Sequence, residues 1–114
     1  MAGMNSKTWS KYLRRDGGAC LHCGETERLS PQHRAGRGMG GSKLLDRPAN
    51  IIVLCSTLNS QIESDAEMAD YARVNGWKIS RQDDPEFMPV WYATEGRWYY
   101  LDDFFGREVQ LPER

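Results

Sequence analysis

The succession between Leu29 and Gly76 constrains this chain most: a β-prone segment, a glycine-rich loop, a second β-prone run and then a helical repeat. Leu29 to Arg34 is expected to form a strand, provided Pro31 sits where no ladder donor is needed. Four glycines fall between Gly36 and Ser42, so that stretch reads as a loop. Ile51 to Leu54, bounded upstream by Pro48 and Asn50, is the expected second strand. From Ser60 to about Asn75, Ile62, Ala66, Ala69 or Asp70, and Arg73 or Val74 recur at three-to-four spacing, and Gly76 is a natural C-terminal stop.

The flanks can be read the same way. Trp9, Tyr12 and Leu13 recur at i, i+3, i+4, which predicts a short helix from Lys7 to Arg15, ended by Gly17-Gly18. Downstream, Trp77 to Ser80 looks like a strand. Val90–Tyr92 and Arg97–Leu101 form the arms of a hairpin around Glu95-Gly96, and Asp102-Asp103 makes another turn. The class is therefore α+β in one domain spanning 1–114. Its parts are an N-terminal helix (1–18), a core (19–76) and a small antiparallel β-rich C-terminal extension (77–114). A chain of 114 residues buries a modest core and lies near the size at which metals often help.

Charged residues make up 27% and mean hydropathy is −0.69, the composition of an ordinary globular domain rather than a disordered one. No apolar run approaches the roughly 18 residues of a membrane span, and Met1 to Ser10 lacks a signal-peptide stretch, so an intracellular protein with no membrane partner is expected. In a reducing compartment Cys20-x-x-Cys23 reads as metal-binding or redox-active rather than as a structural disulfide. The net charge of −1 hides an asymmetry: residues 1–47 carry nine Lys/Arg against four Asp/Glu, and residues 48–114 carry six against twelve. A basic half suits an anionic partner, although chance clustering on a solvated surface explains the same counts.

At His33-Arg34, Arg37-Gly-Met-Gly-Gly-Ser42, Asn50-Ile-Ile-Val-Leu-Cys55 and Ile62-Glu-Ser64 the chain resembles the HNH (ββα-metal, or His-Me finger) nucleases, in particular the small HNH proteins of actinobacterial phages. The likeness extends to the tail, through Gly76-Trp77, Asp84-Pro85, Pro89-Val90 and Trp98 to Asp103. It implies a ββα-metal core, two strands and a helix folded over a divalent cation, and cleavage of DNA phosphodiester bonds in the bacterial host cytoplasm. It also implies an association with phage terminase subunits and genome packaging. Three positions depart from the family pattern. Gln32 stands where a metal-binding His or Asp usually precedes the base, Asn59 where the helix carries a metal-binding His, and Leu58 where a fourth zinc cysteine is expected.

The chemistry of these residues supports that assignment of roles. An imidazole titrates near ~6.5, so His33 can act as general base toward water attacking phosphorus. Asn50 would hold the His33 ring, or the turn beneath it, through its amide, and it could equally be a turn residue entering the second strand. Asn59 and Glu63 share a helix face at i, i+4, with Gln32 as a third oxygen, a donor set suited to Mg²⁺ or Mn²⁺ rather than Zn²⁺; the alternative is a solvated polar stripe. Catalytic roles thus fall to His33, Asn50 and Asn59. Arg34, Arg37, Lys43 and Arg47 around the glycine loop are candidate DNA phosphate contacts. Cys20, Cys23 and Cys55 give three ligands for a zinc ion that normally wants four, so buried reduced cysteines packed with Leu58 are the competing state. Two further readings stay open: a degenerate HNH fold that binds DNA or a terminase without cutting, and a zinc-ribbon adaptor.

Overall fold

The computed structural model describes residues 4–36 and 43–111. Helix α1 (Ser6–Arg15) begins at Asn5, whose Oδ1 accepts from the backbone N–H of Thr8 at 2.8 Å. A turn carrying Cys20 and Cys23 leads into strand β1 (Leu29–His33). This strand pairs antiparallel with β2 (Ile51–Cys55), Leu29 opposite Cys55 and His33 opposite Ile51. Two short 3-10 turns, Lys43–Asp46 and Pro48–Asn50, bring the chain back into β2. Helices α2 (Ser56–Ser64) and α3 (Ala66–Val74) follow. Strands β3 (Val90–Tyr92), β4 (Arg97–Leu101) and β5 (Arg107–Val109) then form a second antiparallel sheet in that order. The class is α+β, with three helices and two small antiparallel sheets among the described residues.

Strand β2 is buried along its whole length because it has a layer on each face. Ile52 and Leu54 pack with Leu58, Ile62, Ala72, Trp77 and residues of the second sheet. Ile51 and Val53 pack on the other side against Tyr12 of α1, with Trp9, Leu13 and Phe105 around them. A strand buried on both faces needs a continuous apolar run rather than an alternating one, which is what Ile51 to Leu54 supplies.

Three local expectations need correction. The helix expected from Ser60 to Asn75 is two helices. Asp65 adopts an extended backbone (φ −126, ψ 120), ends α2 and caps α3 by accepting from Glu67 N at 2.9 Å, so a capping interaction overrides the continuous apolar spacing. Trp77 to Ser80 is no strand: only Ile79 makes an isolated parallel bridge, to Ala35, because Trp77 is spent filling the core and donates Nε1–H to Trp91 O at 2.9 Å. Strand β5 was not anticipated from the sequence.

Gly76 ends α3 through a Schellman arrangement, Gly76 N donating to Arg73 O at 3.2 Å and Trp77 N to Ala72 O at 2.9 Å. Its φ of +75 is left-handed, and a Cβ there would lie 2.0 Å from Pro89 O, so only glycine fits. The C-terminal sheet is locked to the core by a buried ion pair. Arg15 donates to Asp16 at 2.8 and 3.0 Å and to Pro48 O at 2.9 Å, and Asp16 accepts from Val53 N at 3.1 Å and from the Tyr92 hydroxyl at 2.6 Å. One charge pair therefore ties the end of α1 to β2 and β3.

Candidate functional site

His33 closes β1 with a partly exposed ring whose Nε2 lies 2.9 Å from Asp46 Oδ1. Asp46 ends the 3-10 turn that returns the chain toward β2, and it was missed at the sequence level. Nothing in its spacing separates an orienting carboxylate from an ordinary loop acid. A carboxylate facing Nε2 favours the proton there, which leaves the Nδ1 lone pair free to accept one.

Asn50 is fully buried and touches the turn rather than the ring. Its Oδ1 accepts from Ala35 N at 2.9 Å, and its Nδ2 donates to Ala35 O at 3.2 Å and to Leu45 O at 2.8 Å. It fastens Ala35, two residues past the β1 end, to the segment carrying Asp46, which helps set the distance between His33 and its carboxylate. These contacts fit both a hold on the turn beneath the ring and a plain turn residue entering β2.

Asn59 and Glu63 line an open groove of about 500 Å³ with Ser30, Ser56, Ser60 and Ser64. Asn59 Nδ2 donates to Ser30 Oγ at 2.9 Å and to Pro31 O at 3.2 Å, so its Oδ1 is the atom left to take a cation. Gln32 does not join them. It is 2% exposed and its Nε2 donates to His33 O at 3.1 Å, a strut inside the sheet rather than a ligand in the groove. His33 lies two residues, roughly 7 Å, farther along β1 than the Pro31 carbonyl that Asn59 touches. Residue alternation on β1 turns Ser30 toward α2 and His33 toward the other side, so the ring and the groove are neighbours along the strand, not one cluster.

The candidate phosphate contacts fare differently. Arg34 is 0% exposed and donates to four carbonyls: Gly76 O at 2.8 Å, Ala49 O at 2.9 Å, Pro85 O at 2.9 Å and Met88 O at 2.6 Å. Burial without a carboxylate partner pulls its guanidinium down to about 9. It is a core strut and cannot reach DNA. Arg47 is held by Asp103 at 2.9 Å, Glu86 at 2.8 Å and Asp84 at 3.2 Å, a threefold carboxylate cage that cancels its charge toward a phosphate. Arg37 and the Lys43 side chain lie outside the described residues.

Cys20, Cys23 and Cys55 form the one cluster of metal-ligating side chains among the described residues, their Sγ atoms all within 4.8 Å of one another. The Cys23 to Cys55 separation of 3.9 Å matches the sulfur–sulfur edge of about 3.8 Å that a tetrahedron with Zn–S bonds of about 2.3 Å requires. Leu58 N donates to Cys55 Sγ at 3.4 Å, and the backbone N–H of Glu25 holds the Cys23 thiol below its ordinary value. Burial pushes Cys55 up to about 11, a penalty that a coordinated cation would remove. The three cysteines could therefore bind a metal such as Zn²⁺. His22 does not contribute, because its ring packs edge-on against Trp77 at 5.2 Å and Tyr71 at 5.8 Å.

No family model, curated protein or solved structure matches the chain. Its chemistry rests on its own geometry. Among the described residues, no helix is long and apolar enough to cross a membrane.

With three thiols clustered and no fourth metal-ligating side chain beside them among the described residues, the site should bind one Zn²⁺ or Co²⁺ per reduced chain but release it readily. After dialysis against EDTA, elemental analysis should find well below one zinc. Added Co²⁺ should give a thiolate charge-transfer band that Cys55→Ser abolishes. Stoichiometric zinc surviving the chelator would show that a fourth ligand exists.

Proposed function

We propose that this chain is a metal-dependent DNA endonuclease of the HNH (ββα-metal) type that hydrolyses phosphodiester bonds. The observation that carries the reading is the His33–Asp46 pair at 2.9 Å, set at the end of a β1–β2 hairpin that runs directly into α2 with Asn59 and Glu63 on its groove-facing side. In this reading Asp46 accepts the Nε2 proton and orients the ring. His33 Nδ1 removes a proton from the water attacking phosphorus, and Asn50 keeps the two segments in register. The Asn59 amide oxygen and the Glu63 carboxylate fit Mg²⁺ or Mn²⁺, hard ions that keep several waters and need few protein oxygens. For such a cation to stabilise the phosphate charge and the departing 3′-oxygen, the bound strand must bring one phosphate to both the groove and the His33 ring, which are not one cluster in the fold.

A second reading is favoured by Gln32 and the arginines. With Gln32 inside the sheet, Arg34 in the core and Arg47 caged, the groove has fewer ligands and fewer phosphate contacts than a cutting enzyme uses. The chain would then bind DNA or a phage terminase subunit without cleaving.

A plasmid-cleavage assay with Mg²⁺, Mn²⁺, Zn²⁺ or EDTA separates the two. Cleavage is expected with Mg²⁺ or Mn²⁺, less with Zn²⁺ and none with EDTA. Glu63→Ala should raise the metal concentration needed by about 10-fold or more, since losing even an outer-shell partner of a ligand costs that much. Asn59→His should shift preference toward Zn²⁺. If no metal supports cutting by pure, folded protein, the non-cleaving reading stands; if Glu63→Ala leaves the metal dependence untouched, the groove is a solvated polar stripe.

A further inference from the structure

Four of the seven basic-half cations whose side chains are described are paired or buried. Arg15 pairs with Asp16, Arg28 with Glu25 and Arg47 with three carboxylates, and Arg34 is buried. Among those described side chains, the other three, Lys7, Lys11 and Arg14, are exposed on α1, a helix with no acidic residue, and none makes a salt bridge among the described residues. At i, i+4 and i+7 they form one stripe about 10 Å long, room for two or three phosphates of one strand. The opposite face of α1 is covered, since Tyr12 is buried against β2 and Trp9 and Leu13 pack beside it.

Phe104 stands next to this stripe, 89% exposed, and with Phe105 and the α1 cations Lys11 and Arg14 it borders a concavity of about 400 Å³. Its exposure is built in. Asp102 Oδ1 accepts from Phe104 N and Gly106 N at 2.8 Å each, and Phe105 takes a left-handed φ of 62 so that its ring reaches Tyr12, 4.9 Å away and edge-on. Lys11 Nζ lies 5.3 Å above the Phe105 ring. Turning one phenylalanine inward through a disfavoured backbone state fixes its neighbour outward, beside unpaired positive charge.

An aromatic face flanked by cations is the arrangement that holds unpaired bases: the ring stacks on a base while the cations follow the backbone. A duplex could use the cations but keeps its bases stacked. A membrane surface would need the apolar face of α1, which β2 already covers. We propose that α1 and Phe104 form a binding surface for single-stranded nucleic acid, with Lys7, Lys11 and Arg14 on phosphates and Phe104 under a base. The inference rests on the nuclease reading only in taking nucleic acid as the partner, and its contact residues are distinct from His33 and from those lining the Asn59 groove.

Fluorescence anisotropy of a labelled oligothymidylate, in EDTA and across a salt series, tests it without any cleavage. Replacing Lys7, Lys11 and Arg14 together by Gln should weaken binding about 10-fold or more and flatten the slope of log K against log salt by about 2. Phe104→Ala should weaken it about 5-fold or more with the slope unchanged and with little effect on a labelled duplex, whereas Phe104→Trp should bind as wild type does. All these side chains are exposed, so circular dichroism should show wild-type folding. The proposal is overturned if wild type does not bind the strand, if either set of changes is silent, if Phe104→Ala weakens duplex binding equally, or if anionic vesicles or an acidic polypeptide bind more tightly than the strand through the same residues. Failure of the nuclease reading would show separately, as intact plasmid in the cleavage assay with this binding preserved.

Discussion

His33→Ala should lower plasmid cleavage by on the order of 10²-fold or more while leaving the fold and DNA binding intact, the usual scale for general-base assistance. The ring is partly exposed and contributes to neither apolar core cluster, so its removal should not unfold the chain. Asp46→Asn is the companion variant. An amide in place of the carboxylate no longer favours the Nε2–H tautomer, and losing such an orienting partner typically costs 10- to 100-fold. The two effects should not add, because Asp46 acts through His33, and the double variant should be close to His33→Ala alone. Near-wild-type cleavage by purified His33→Ala would remove this residue from the mechanism. A large loss in Asp46→Asn that persists in the His33→Ala background would assign Asp46 a separate role.

Arg34→Ala should destabilise the protein by about 3 kcal/mol or more, since it strips donors from the buried carbonyls of Gly76, Ala49 and Pro85, each worth roughly 1 to 3 kcal/mol when left unpaired, and from the part-buried carbonyl of Met88. Arg34 connects the end of β1 to Ala49, to the Gly76 turn and to the Pro85 and Met88 loop, so its loss should loosen the attachment of the C-terminal segment as well. Arg34→Lys should not restore stability, because one ammonium cannot reach carbonyls placed around a planar fork. Denaturant unfolding followed by circular dichroism measures both. If Arg34→Ala unfolds at the wild-type midpoint but binds DNA more weakly, the residue contacts phosphate and its burial is not what matters.

Much of the frame was legible from local pattern. The Trp9, Tyr12, Leu13 spacing marked α1, the Ile51 to Leu54 run marked β2, Glu95-Gly96 marked the β3–β4 turn, and Gly76 marked the end of α3. Each is set by residues within a turn or two of chain, where capping, β-branching and left-handed glycine act directly. The break at Asp65 was legible in principle too, as a capping residue two positions before Glu67, but it lay inside an apolar rhythm that continued across it.

The site divides along the same line. Sequence by itself determined which chemistry-bearing residues the chain has and their order: a histidine closing the first strand, an asparagine before the second, an amide and a carboxylate on one helix face, and three cysteines flanking the hairpin. Tertiary structure alone decided what each touches. It gave His33 an acid from the returning loop, turned Asn50 onto the turn, put Gln32 in the sheet, sent Arg34 to the core and caged Arg47, and drew the distant Cys55 thiol to within 4.8 Å of the Cys20 and Cys23 thiols. The physical reason is that an arginine's charge and a carboxylate's partner are settled by desolvation and by contacts made across dozens of residues, such as Arg34 with Met88 or Arg47 with Asp103, and no local spacing encodes them.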